Sequence, residues 1–157
     1  MARGTSILGL AALDRKLKAM PAVAKDRIRK AMEEGANEIT AMMRSLIPVD
    51  SGDLRESIGW TWGKKPRYAQ AVAVARSKLA DDLTLTIFVG NDKVRYAHLV
   101  EFATRAHINQ GQFPGTQHPG TKAQPFFFVS WRALRKPVGN KIRRAARAAA
   151  RQVAAGG

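Results

Sequence analysis

One change of rhythm constrains this chain most: apolar residues recur every three or four positions up to about residue 47, and every second position from residue 58. Ile28, Met32, Gly35, Ile39, Met42 and Leu46 fall on one stripe of a helix, which needs a surface to bury it. Pro21 suits the first helical position, where its missing N–H would be unpaired anyway, and Pro48 ends the run. Three segments then alternate as strands do: Ile58-Gly-Trp60-Thr-Trp62, Tyr68-Ala-Gln70-Ala-Val72-Ala-Val74 and Leu83-Thr-Leu85-Thr-Ile87-Phe-Val89. The links at 63–67 and 76–82 are short and polar, as an antiparallel meander requires. The expected class is α+β, with a long N-terminal helix and a C-terminal helix packed on a small antiparallel sheet of about three or four strands.

The chain reads as a single domain over 1–157: an N-terminal segment 1–20, a long helix 21–47, antiparallel strands within 57–91, a long loop 104–124 and a basic C-terminal helix 125–153. Ile7 to Met20 is expected to start as a short helix, because the apolar run after Arg3 leads straight into Asp14, Arg15, Lys16 and Lys18 with no small-residue cleavage site. Asp50, with Asp53 three residues on, resembles a cap for a single helical turn. Tyr96 to Phe102 is compact enough for one or two turns of helix. The stretch from Thr104 to Gln124 is long for a loop and rich in Gly, Pro and Gln, which marks it as an arm that orders against a neighbour. Pro137 is expected to interrupt the last helix, whose end carries an apolar stripe of Ile142, Ala146, Ala149 and Val153.

Lys and Arg number 27 against 12 Asp and Glu, and the excess is uneven. Every acidic residue lies at or before Glu101. Beyond it stand Arg105, Lys122, Arg132, Arg135, Lys136, Lys141, Arg143, Arg144, Arg147 and Arg151 with no counter-charge, so this stretch holds +10 of the total +15. It needs an acidic partner surface, a nucleic acid or plain water. Lys141, Arg144, Arg147 and Arg151 are the expected contacts to DNA or an acidic partner, sequence-independent because no base-reading side chains accompany them.

The signatures of catalysis are missing. The chain has no cysteine, hence no thiol nucleophile and no disulfide frame. Gly-x-Ser-x-Gly, the P-loop and His-Glu-x-x-His are absent. His98 and Glu101 have a metal-compatible spacing but no evident third ligand, with His107 and His118 in the loop as the only recruits. A nuclease built on Asp81, Asp82, Asp92 and Lys93 is better read as turn formers. No metal, cofactor or enzymatic activity is expected. Glu101, between Val100 and Phe102, reads instead as a buried carboxylate, and Arg55 is its expected ion-pair partner. Phe126, Phe127, Phe128 and Trp131 form the densest aromatic cluster; with Phe113 they are the candidate subunit interface, although packing of the helix start into the chain's own core is the favoured reading and both can hold at once. No apolar run reaches membrane-spanning length.

Three segments in order, Pro48-Val-Asp-Ser-Gly-Asp-Leu-Arg-Glu-Ser-Ile58, Tyr96-Ala-His-Leu-Val-Glu-Phe-Ala-Thr104 and Gln124-Pro-Phe-Phe-Phe128, resemble the tail-completion or head-tail-joining proteins of long-tailed phages over roughly residues 20 to 135. The family usually has Gly where this chain has Ala103, a residue that tolerates positive φ poorly. The resemblance implies a structural virion protein at the head-tail junction, assembled in the bacterial host cytoplasm. It would form a homo-oligomeric ring, hexamer or dodecamer, between head-closure or connector proteins and tail terminator or tail tube proteins. The alternative from charge alone is a sequence-independent nucleic-acid-binding protein.

Overall fold

The computed structural model describes residues 22–48, 52–76 and 83–155. The expected N-terminal helix start, Asp50, Asp81 and Asp82 lie outside them. Helix α1 spans Ala22–Leu46, the one-turn α2 Asp53–Glu56, and strands β1, β2 and β3 span Gly59–Trp62, Gln70–Arg76 and Thr84–Val89. Helix α3 follows at Ala97–Phe102, a ribbon of β4 (His107–Ile108) and β5 (Gln117–His118) comes next, and α4 runs Phe127–Ala155. This is the α+β arrangement that the rhythm change implies. No helix among the described residues is long and apolar enough to cross a membrane.

The buried stripe of α1 is Ala24, Ile28, Met32, Ala36, Ile39 and Met43, continuing to Ile47. Its end departs from expectation: Leu46 is exposed, because the four-residue step from Ile39 passes through Met43 to Ile47. The stripe meets α4 at Gly35, where an added Cβ would come within 2.3 Å of Val138 Cγ1. Glycine sets that approach. Glu38 and Lys141 form an ion pair beside it.

The sheet is antiparallel but is not a meander. Its order is β1-β3-β2, with β3 central. Burial explains the arrangement, since Leu85, Thr86, Ile87 and Val89 are all buried, whereas β2 offers smaller apolar side chains, alanine and valine, and gains less from a central place. A one-residue irregularity at Val72 breaks the pairing of β2 with β3. The helices cover one face. Trp60 Nε1 donates to Asn37 Oδ1 (2.7 Å), Trp62 Nε1 donates to Glu33 Oε1 (3.1 Å), and the Arg29 guanidinium lies 4.5 Å from the Trp62 ring centre.

Two expected irregularities turn out regular. Pro137 does not interrupt α4; it and Ala133 are exposed, so the Ala133 carbonyl that loses its amide partner faces water. The segment 104–124 is not a bare loop. His107 pairs with His118 and Ile108 with Gln117, and a bridge joins Thr104 to Thr121 at the base.

Candidate functional site

Residues 52–58 of the Pro48–Ile58 motif build a corner. Leu54, Ser57 and Ile58 are buried, and Gly52 adopts φ 87°, which a side chain disfavours. Arg44 of α1 donates to the Ile58 carbonyl (2.6 Å), and the Gly90 amide donates to Ser57 at both its carbonyl and Oγ (3.2 Å each). One short turn therefore fixes the end of α1 against the start of β1 and the end of β3. Asn91 Oδ1 then accepts from the amides of Lys93 and Val94, which makes the Asn91-Asp92-Lys93 stretch a turn, as its composition implies.

The second motif closes on the third through Glu101, which is only 3% exposed. Its carboxylate accepts three backbone amides: Phe126 N–H at 2.7 Å and Phe127 N–H at 3.1 Å on Oε2, and Phe128 N–H at 3.2 Å on Oε1. These amides begin α4. A helix leaves its first four N–H groups unpaired, and a negative charge there also meets the positive end of the helix dipole. Glu101 is thus a cap supplied from another helix, and the Gln124 amide, donating to the Val100 carbonyl at 2.8 Å, reinforces the joint. The expected ion pair with Arg55 is corrected here. Arg55 is exposed, and no salt bridge joins it to Glu101 among the described residues, because three amides already satisfy the carboxylate. The sequence did hold a signal for the cap: Ala123-Gln124-Pro125-Phe126 offers no Ser, Thr, Asp or Asn to begin α4.

The chain turns sharply after the cap. Ala103 takes φ 75° and ψ 166°, a region that is nearly glycine-only, while its amide donates to the Leu99 carbonyl at 3.0 Å. This is the geometry that the usual glycine of the resembled family would serve. The turn launches the β4-β5 ribbon, where His107 and His118 stack with ring centres 5.0 Å apart. Gly120 (φ 82°) lets the backbone of 104–106 approach, since a Cβ there would lie 2.4 Å from the Thr104 carbonyl.

Beside the ribbon lies a groove of about 450 Å³. Ile47, Leu54, Leu99 and Val100 give it apolar walls, and Arg55 and Lys122 stand among its charged lining. Tyr96, just before α3, and Leu99 and Phe102 on it recur three apart and are exposed, Phe102 to 63%, and the ribbon hairpin adds Ile108 at 61% and Phe113 at 66%.

The candidate interface residues separate. Phe113 is exposed, and Phe128 and Trp131 are half-buried. Phe126 and Phe127 are buried in the chain's own core, where their rings meet edge to face at 5.0 Å, so they have no free surface to offer. Phe102 bridges the two sets, with its ring 6.1 Å from Phe127 and 5.8 Å from Phe128. His98 and Glu101 do not converge on a metal: Glu101 is committed to α4, and His98 Nδ1 is 3.0 Å from Gln70 Nε2. Among the described residues, no cluster of three or more His, Asp or Glu is arranged to hold an ion. Of the basic residues singled out on α4, Arg144, Arg147 and Arg151 are exposed, whereas Lys141 is paired with Glu38.

A family model described as "Bacteriophage HK97-gp10, putative tail-component" matches residues 11–102, more than half of the chain. The chain belongs to the HK97-gp10-like family. The match contains the Pro48–Ile58 corner and the whole of α3, and it ends at Phe102, directly after the capping glutamate. The family is one of phage tail components, which are structural proteins of the virion. No curated protein and no solved structure matches the chain.

Proposed function

We propose that this HK97-gp10-like protein is a ring-forming subunit at the head-tail junction of a long-tailed phage, joining head to tail by contacts rather than by chemistry. The observation that carries the reading is the exposure of large apolar side chains at Tyr96, Leu99 and Phe102, at and just before α3, and at Ile108 and Phe113 in the ribbon hairpin. Exposed large apolar side chains mark protein-protein contact, and membership in a family of tail components supports partners within the particle. Copies of the chain meet head to tail, the contact type that closes into rings; Phe113 leads from one copy, and Phe128 and Trp131 flank the contact. A hexamer or dodecamer stacks on head-closure or connector proteins on one side and on tail terminator or tail tube proteins on the other.

The test is electron microscopy of particles made from a phage genome with a stop codon in this gene. Full heads beside separate, complete tails are expected. Joined, infectious particles lacking the polypeptide overturn the proposal. Sequence-independent nucleic-acid binding, the alternative from charge, need not compete with this reading, because a different face of the chain carries it.

A further inference from the structure

We infer that the exposed face of α4 is a docking track for the sugar-phosphate backbone of duplex DNA, a property that does not depend on ring formation. Arg132, Lys136, Arg143, Arg147 and Arg151 follow one another at steps of four, seven, four and four, with Arg144 alongside, and all six are exposed. Those steps keep the six on one side of the helix, opposite the buried Val138 and Ala149. At 1.5 Å per residue the row from 132 to 151 is about 28 Å long, roughly eight base pairs of duplex. No acidic residue occurs anywhere in α4. The one lysine that leaves the row, Lys141, is turned toward Glu38 on α1.

Within the row, Arg143 is held by its own helix. Its Nε donates to the Gly139 carbonyl (3.2 Å) and its Nη2 to Asn140 Oδ1 (2.9 Å), which fixes the guanidinium over a concave surface formed by Pro137, Asn140, Arg144 and Arg147. Arginine offers paired N–H donors that match phosphate oxygens, and five of the six cations are arginines.

The competing occupant is an acidic face of another virion protein, and the composition of the track argues against it. Stable protein interfaces centre on buried aromatic or aliphatic anchors. Beyond Val129, α4 exposes no large apolar side chain; the surface between the arginines is alanine, glycine and polar groups. The exposed apolar residues lie on other elements, chiefly α3 and the ribbon. A surface with cations and no anchor suits a uniform polyanion. It also lacks an aromatic stack and any exposed ring to read bases, so affinity is blind to sequence.

The experiment uses the full chain and two fluorescein-labelled 24-base-pair duplexes of unrelated sequence, followed by anisotropy from 50 to 200 mM salt. Equal affinity for both is expected, with log Kobs falling against log salt at a slope of about −4 to −5, for about five neutralised phosphates. Arg143→Gln/Arg147→Gln/Arg151→Gln reduces that slope by about 3 and the affinity at 100 mM salt by at least about 100-fold. Lys64→Gln/Lys65→Gln/Lys93→Gln removes the same charge from exposed sites off the helix and leaves binding within about 3-fold, as expected of residues that contact no phosphate. Circular dichroism and thermal melts confirm that both variants fold. Absence of binding at 50 mM salt, or equal losses in the two variants, overturns the proposal. Displacement of the duplex by polyglutamate at equal charge concentration also overturns it and assigns the face to an acidic protein.

Discussion

Removing the Glu101 carboxylate tests the central joint of the fold. Glu101→Gln keeps the side chain's shape but turns an acceptor into an NH2 group facing backbone donors. One oxygen can still serve Phe126 and Phe127, which share Oε2, so the Phe128 amide loses its partner and the remaining bonds lose their charge. A stranded buried N–H costs about 1–3 kcal/mol, and the lost charge at the helix start adds roughly 0.3–1 kcal/mol, for a total near 3 kcal/mol. With a shift of about 2–4 °C per kcal/mol in a chain of this size, Tm falls by about 6–12 °C. Arg55→Met is the decisive companion. An Arg55–Glu101 ion pair predicts a loss of about 3–5 kcal/mol for either change, whereas the amide cap predicts less than about 0.5 kcal/mol for Arg55. Urea denaturation of the three proteins, compared at constant m-value, gives the answer. Equal losses for the two variants, or a Glu101→Gln protein as stable as the parent, refute the cap.

Three more outcomes follow from geometry. Ala103→Gly relieves about 1–3 kcal/mol of backbone strain against about 0.4–1 kcal/mol of added unfolded-state entropy, so urea midpoints should rise by the equivalent of about 1 kcal/mol; a fall contradicts the positive φ. Gly35→Ala drives a methyl into Val138 and should destabilise by about 1–3 kcal/mol, while adding Val138→Ala recovers part of the loss; additive losses in a double-mutant cycle refute the close approach. Ile108→Ser/Phe113→Ser, at two exposed positions, should change Tm little yet prevent joining of heads to tails in a complementation assay; normal complementation counts against the assembly surface.

The fold class was legible because period is a local property: the stripe from Ile28 and the alternation from Ile58 announce a helix and strands whatever lies elsewhere. The order of the strands is a property of pairing, and alternation is the same in a central strand as in an edge one. Only the heavier burial of β3, at Leu85, Thr86, Ile87 and Val89, accompanies its place in the middle. The ribbon escaped for a related reason, since two-residue strands among Gly, Pro and Gln leave no pattern long enough to count. Glu101 shows the subtler limit. That the carboxylate is buried and must be satisfied could be read from its apolar neighbours, which do not distinguish a charged side chain from backbone amides as its partner. Backbone amides leave no mark in a sequence except indirectly, through the absence of a local cap before Phe127.

That dependence on amides shapes how the C-terminal helix is attached. The glutamate belongs to the segment matched by the HK97-gp10-like family, and the helix that it holds lies wholly past the end of that match. Every residue except proline presents the same N–H, so this fastening makes almost no demand on which side chains follow. The outward side of the helix can therefore carry its row of cations without disturbing the joint that holds its first turn.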